Sequence, residues 1–158
     1  MLKNRNSLKK ELNSLNIYTE NIKDELIKKR IEHLLDWYIR KANFYKNLFY
    51  ILSMLLIIIN AIIPVLSGTQ INNKDIVISC ISSIATIITS SLTLFTMKDT
   101  WFRYRNSVEI MKSECIKFNC NLNEYNGNNE IILAQTIEHI VENERDLWKQ
   151  IKFTENNN

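Results

Sequence analysis

The stretch LFYILSMLLIIINAIIPVL, from Leu48 to Leu66, contains nineteen residues and no charged side chain. A second uncharged stretch of twenty-two residues runs from Ile76 to Met97. The hydrocarbon core of a bilayer is about 30 Å thick, and a helix that rises about 1.5 Å per residue crosses it with about 20 residues. Both stretches therefore predict membrane-spanning helices. A buried hairpin of two helices that are apolar on all sides is the less favoured interpretation in a chain of 158 residues.

Basic residues lie before the first predicted span and after the second. They are Lys28, Lys29, Arg30, Arg40, Lys41, Lys46, Lys98, Arg103, Arg105, Lys112 and Lys117. The connecting segment SGTQINNKD contains Lys74 alone. Because basic residues favour the cytoplasmic side, we expect both termini in the cytoplasm and the short loop outside. The net charge of +3 is too small and too mixed with acidic residues to predict nucleic-acid binding.

Apolar residues at helical spacing continue beyond the spans. The clearest set follows the second span as a heptad seam: Trp101, Tyr104, Val108, Met111, Cys115, Phe118 and Leu122. A similar pattern precedes the first span, and another occupies about residues 129–152, while no alternating strand pattern occurs. The sequence therefore predicts an all-α membrane protein whose two transmembrane helices extend into a cytoplasmic helical bundle.

We expect a single domain made of six segments. These are cytoplasmic N-terminal helices at 1–46, the first transmembrane helix at 47–66, an external loop at 67–75, the second transmembrane helix at 76–97, a cytoplasmic helical hairpin at 98–152 and a tail at 153–158. We expect one long helix from about residue 20 to 63, with Pro64 and Gly68 as the residues that stop it. The second span is expected to continue straight into the cytoplasm.

Side chains suited to catalysis do not form a recognised motif. His33 and His139 fall in different predicted helices, and Cys115 and Cys120 are turned about 140° from one another on a helix. We therefore expect no enzymatic activity, no cofactor and no metal site. Glu144 occupies a position where an apolar residue would continue the stripe of the last helix, and Arg105 is its predicted partner in a structural ion pair.

Five hydroxyl side chains share one face of the second span, within a sector of roughly 80°. They are Ser79, Ser83, Thr86, Ser90 and Thr93, and we call them the hydroxyl stripe. One interpretation is close packing on the first span, where Asn60 would also bond a neighbouring helix. The other is a water-filled path lined by several copies, which requires a cyclic homo-oligomer because one hairpin cannot enclose a path. Asp75 and Asp99 would then lie at the two pore mouths and weakly favour cations.

Several short motifs occur in a characteristic order around the spans. They are WYIRKANFYK, IIPVLSG, WFRYRNSVEIMKSECIKF, Tyr125 at the turn and ENERDLW. This order resembles the SLATT proteins, bacterial two-transmembrane proteins that overlap a family of unknown function, over about residues 30 to 150. The resemblance implies a pore-forming effector of bacterial conflict systems in the inner membrane, often beside nucleotide-sensing or nucleotide-synthesising partners. Framework positions that match are Trp101, Tyr104, Arg105, Glu109, Glu114, Tyr125, Glu144 and Trp148.

The functional expectation is a homo-oligomeric ion channel or pore whose second transmembrane helix lines the path. Its partners would be further copies of itself, the lipid bilayer and inorganic ions, with a cytoplasmic regulator left open. The alternative is a non-conducting membrane anchor or assembly module that recruits a cytoplasmic partner through its helical bundle.

Overall fold

The protein is helical in the computed structural model, which describes residues 2–69, 73–122, 125 and 129–155. The helices are α1 (Leu2–Asn13), α2 (Asn16–Thr19), α3 (Glu25–Ser67), α4 (Lys74–Leu94), α5 (Met97–Asn119) and α6 (Glu130–Glu155). No strand occurs within those described ranges, so the all-helical prediction is confirmed there.

The chain, predicted as one domain, divides into two compact units. Met1–Asn43 and Phe102–Asn158 form the first, which we call the bundle unit, and Phe44–Trp101 form the second, which we call the hairpin unit. The bundle unit contains α1, α2, the first part of α3, most of α5, and α6. The hairpin unit contains the rest of α3, α4 and the first turn of α5.

The predicted heptad seam forms the core of the bundle unit. Val108, Met111, Cys115 and Phe118 on α5 are fully buried, and they pack with residues of α3 such as Leu35 and with Leu133 of α6. Leu122 is half exposed because α5 ends at Asn119. The middle of the seam therefore packs the bundle of a single chain, and these four buried side chains are not available to another copy.

One carboxylate caps the start of α3, and a second binds the backbone just before it. Asp24 Oδ1 accepts hydrogen bonds from the backbone N–H groups of Leu26 (2.8 Å) and Ile27 (3.2 Å). Glu130, at the start of α6, accepts from the backbone N–H groups of Lys23 (2.7 Å) and Asp24 (2.9 Å). Because the first N–H groups of a helix lack intrahelical partners, these bonds fix the point where α3 begins.

Both expected helix ends near the spans differ from the structure. Pro64 lies inside α3, which ends three residues later at Ser67, since a proline in the last turn removes only one backbone hydrogen bond. The second span does not continue straight. It is interrupted at Phe95 and Thr96, where Thr96 has a left-handed φ of 38° and α5 begins at Met97.

Two stretches, Glu25–Ser67 and Lys74–Asn119, are long and apolar enough to cross a membrane. In the most apolar eighteen-residue window of the first no described residue is buried, and in that of the second 11% are. Core helices of soluble proteins bury such windows, so exposure of this extent is typical of a surface that lipid or a protein partner covers.

Candidate functional site

One side of α4 packs within the hairpin unit. Ala85 and Ile88 are buried there, and Ile81 and Leu92 on the same side are partly buried. In α3 the partly buried residues recur every three or four positions: Leu52, Leu56, Ile59, Ile63 and Leu66. The contact between the two apolar helices of the hairpin is therefore made by aliphatic side chains.

The hydroxyl stripe lies away from this contact. Ser79, Ser83, Thr86, Ser90 and Thr93 are all exposed in the single chain. At 100° per residue, their centre is roughly 150° around α4 from the centre of the packed side. The stripe is thus not buried between the chain's own two apolar helices, which was one of the two interpretations of the sequence.

The hydroxyl protons of the stripe are used within α4. Four of its members each donate to the backbone carbonyl four residues earlier, at 2.8 to 2.9 Å: Ser79, Ser83, Thr86 and Thr93. A hydroxyl has one proton and two lone pairs, so each of these oxygens can still accept a hydrogen bond or contact a cation. The exposed face of α4 therefore presents hydrogen-bond acceptors.

An open groove of ≈ 380 Å³ runs along one edge of the stripe. Its lining residues are Leu56, Asn60 and Ile63 on α3, and Ser82, Ala85, Thr86, Thr89 and Ser90 on α4. Pro64 has no N–H, so the backbone carbonyl of Asn60 lacks its usual intrahelical donor. The groove therefore contains polar groups of Asn60 and of the α4 hydroxyls, although it lies between two strongly apolar helices.

The two predicted mouth residues are exposed at helix starts. Asp75 lies in the first turn of α4 and Asp99 in the first turn of α5, where a carboxylate stabilises the helix dipole. Each has a lysine directly before it, Lys74 or Lys98. The charge contributed by each pair is therefore close to zero.

The predicted Arg105–Glu144 ion pair is corrected, because both residues have other partners. Arg105 contacts Glu11 (Nη1 to Oε1, 2.8 Å) and Glu109 (Nη2 to Oε1, 2.7 Å). Glu11 also contacts the almost buried Lys112 at 2.6 Å. Burial raises the pKa of Glu11, but Lys112 and Arg105 lower it to a net value below the usual 4.5. Packing of α1 on α5, which the sequence did not predict, brings Glu11 to this position.

Glu144 lies in a polar and aromatic cluster of the bundle unit. It accepts a hydrogen bond from the Tyr38 hydroxyl and lies near the Arg103 guanidinium. Burial raises the pKa of Glu144, and Arg103 opposes that rise. Burial, with the nearby Glu144 charge, raises the pKa of Tyr38 to about 12. Tyr38 and Tyr104 pack edge to face, with ring centroids 5.6 Å apart.

No group of three or more His, Cys, Asp or Glu side chains suited to a metal ion occurs among the described residues. His33 and His139 are exposed on α3 and α6. Cys115 is fully buried, and burial raises its pKa to about 12, so its thiol stays protonated at neutral pH. The side chain of Trp148 lies outside the described residues.

Comparisons with curated proteins and with solved structures find no match. The family model of DUF4231, a protein of unknown function, matches residues 33–131. The match includes both apolar stretches, the hydroxyl stripe and the whole of α5, which is more than half of the chain. The chain therefore belongs to the DUF4231 family.

Proposed function

We propose that the protein is a homo-oligomeric ion channel or pore, with the hydroxyl stripe of α4 lining the path. The observation that carries the proposal is the exposure of all five stripe residues, outside the aliphatic contact between α4 and α3. The proposal includes a bacterial inner membrane, both termini in the cytoplasm, no enzymatic activity and a place among the SLATT-type effectors that the motif order resembles.

A bilayer around the hairpin unit is supported by its surface. Its exposed large apolar side chains include Met54, Ile57, Ile58, Ile62, Val65, Ile84 and Ile87. Monomeric soluble proteins rarely expose contiguous apolar patches of more than a few hundred Å². Lipid tails would cover these side chains at no cost in free energy.

Several copies are needed because the two apolar helices of one chain cannot surround a path. A ring of hairpins with α4 inward would place the stripe around the axis and leave the exposed apolar side chains of α3 towards lipid. Four of the five stripe hydroxyls donate to α4 carbonyls, so their oxygens keep lone pairs that can replace part of the hydration shell of a cation. This chemistry supports a weak preference for cations, which Asp75 and Asp99 do little to strengthen beside Lys74 and Lys98.

Potassium efflux from liposomes containing the purified full-length protein tests the proposal. We expect protein-dependent efflux, and we expect Thr86→Leu to remove most of it, since a ring of leucines at a narrow point excludes water from a pore. Ser91→Leu is the matched control, because Ser91 lies about 120° around α4 from the centre of the stripe, whereas the other two hydroxyl residues, Ser82 and Thr89, flank it. Efflux that is absent at all voltages, or equal in wild type and Thr86→Leu, would contradict the proposal.

The second candidate is a non-conducting anchor that recruits a cytoplasmic partner. An apolar cavity of ≈ 480 Å³ between α3 and α6 favours it, with Leu26, Ile31 and Ile137 in the lining and the Arg30–Glu138 ion pair (2.7 Å) beside them. Stable oligomers that insert in liposomes without conducting, under any voltage, would favour this candidate over the pore.

A further inference from the structure

Asn60 has an unusual position within the apolar stretch of α3. Its side chain is exposed in the groove, roughly 80° around the helix from the aliphatic side that faces α4. Within the part of the chain that the structure describes, its carboxamide makes no hydrogen bond, and the carbonyl of the same residue lacks an N–H donor because of Pro64. In a bilayer no water is present to satisfy these groups, so a protein partner is required.

The partner must supply hydrogen-bond acceptors for the Asn60 carboxamide. The carboxamide NH₂ has two protons to donate, and four of the five hydroxyls of the stripe already donate their protons to α4 carbonyls. Donor and acceptors are thus complementary. Asn60 lines the same groove as Thr86, Thr89 and Ser90 of its own α4 but makes no hydrogen bond to them within the described residues, so the acceptors of a second copy remain.

Cyclic symmetry indicates which acceptor is used. In a ring, each copy contacts the next through two different surfaces, so the groove of one copy meets another part of its neighbour. The groove lies at the edge of the stripe that contains Thr86, next to Ser82 and Thr89, whereas Ser83 lies at the other edge and does not line the groove. Ser83 Oγ donates to the Ser79 carbonyl at 2.8 Å and keeps its lone pairs.

We propose that the Asn60 carboxamide binds a second copy of this chain by donating a hydrogen bond to the Ser83 hydroxyl oxygen of the neighbour. This interface rests on the proposed homo-oligomer and deepens it, since it names the contact between adjacent copies. Asn60 is then the residue of α3 that determines which side of the hairpin faces the next copy.

Sedimentation equilibrium of the full-length protein in density-matched detergent micelles tests the contact. We expect Asn60→Leu, which keeps the volume and removes the hydrogen bonds, to weaken association by about 3- to 20-fold per interface. Ser83→Ala should weaken it by a similar factor, and the double variant should be no weaker than either single one. Asn60→Gln, which keeps the NH₂ group, should restore part of the association.

Thr93→Val is the matched control, because it removes a stripe hydroxyl about 15 Å along α4 from Ser83 and should leave association unchanged. Equal association of wild type and Asn60→Leu, or additive effects of Asn60→Leu and Ser83→Ala, would overturn the contact and leave the proposed pore standing. A wild type that is monomeric at every concentration would instead overturn the proposed homo-oligomer. Circular dichroism identifies a variant that fails to fold, and Ser83→Ala then decides the contact alone.

Discussion

The two parts of α3 use the same helical spacing in opposite ways. Between Glu25 and Asn43 the helix buries six residues in the bundle unit: Ile31, Leu34, Leu35, Tyr38, Ile39 and Ala42. From Phe44 to Ser67 it is more apolar, and none of its residues is buried. The first part buries apolar side chains on one narrow side of the helix, while the second part has exposed apolar side chains on most of its circumference. Exposure in the folded chain thus distinguishes a part of the helix that packs in a core from a part whose apolar side chains the chain leaves uncovered, which apolar spacing alone does not.

The largest expected effect is a difference in the free energy of unfolding when one side chain is truncated in each part of α3. Leu35→Ala removes a side chain that is 0% exposed and should lower the free energy of unfolding of the bundle unit by about 2 to 5 kcal/mol. Ile57→Ala removes one that is 64% exposed and should change it by less than about 0.5 kcal/mol. Urea unfolding of the full-length protein in micelles, followed by tryptophan fluorescence, measures both. A large loss in Ile57→Ala would mean that the second part of α3 is a soluble core helix.

Much of this architecture could be predicted from single stretches of sequence. The absence of charged residues predicted the two apolar helices. Apolar residues three and four positions apart predicted that Val108 and Phe118 would be buried. The interruption at Thr96 could not be predicted, because no glycine or proline marks it. The stripe was visible as a pattern, yet its exposure depends on which side of α4 packs on α3.

Contacts between distant elements were the least predictable. Glu11 and Arg105 are 94 residues apart, and their contact depends on the docking of α1. The predicted partner of Glu144 was wrong, because the arginine near that carboxylate is Arg103. Arg103 lies two residues before Arg105 and about 200° around α5, so it is on a different face of that helix. Spacing along one helix predicts on which side of the helix a residue lies. Which residue of another helix packs against that side is determined only by the folded structure.

A smaller effect is expected on how the stability of the bundle unit depends on pH, through the carboxylate of Glu11. The pKa of Glu11 is lowered in the folded protein, so its contribution to stability is present above pH 4.5 and is lost as the pH falls through the lowered pKa. Glu11→Gln should lower the free energy of unfolding of the bundle unit by about 1 to 2 kcal/mol at pH 7, since it removes the charged partner of the almost buried Lys112.

The difference between wild type and Glu11→Gln should shrink in acid, and thermal unfolding from pH 7 to pH 3 measures it. Asp36→Asn is the control, because the Asp36–Arg40 pair lies on the exposed surface of a single helix and should contribute little. A constant difference between Glu11→Gln and wild type across this range would show that the carboxylate charge is not what stabilises the contact.

The smallest effect should have the opposite dependence on pH. Burial raises the pKa of Glu144, so its ionised form disfavours the folded state, and the stability that the protonated form supplies is lost as the pH rises through the raised pKa. Glu144→Gln keeps an acceptor for the Tyr38 hydroxyl and should raise the free energy of unfolding by about 0.5 kcal/mol or less at pH 7, with no gain in acid. If Glu144→Gln instead lowered the free energy of unfolding at pH 7, and Arg103→Gln lowered it equally with no further loss in the double variant, the attraction between Glu144 and Arg103 would outweigh the cost of burying the Glu144 charge. Since no charged residue lies between Lys46 and Lys74 or between Asp75 and Lys98, neither dependence on pH can come from the apolar stretches of the hairpin unit.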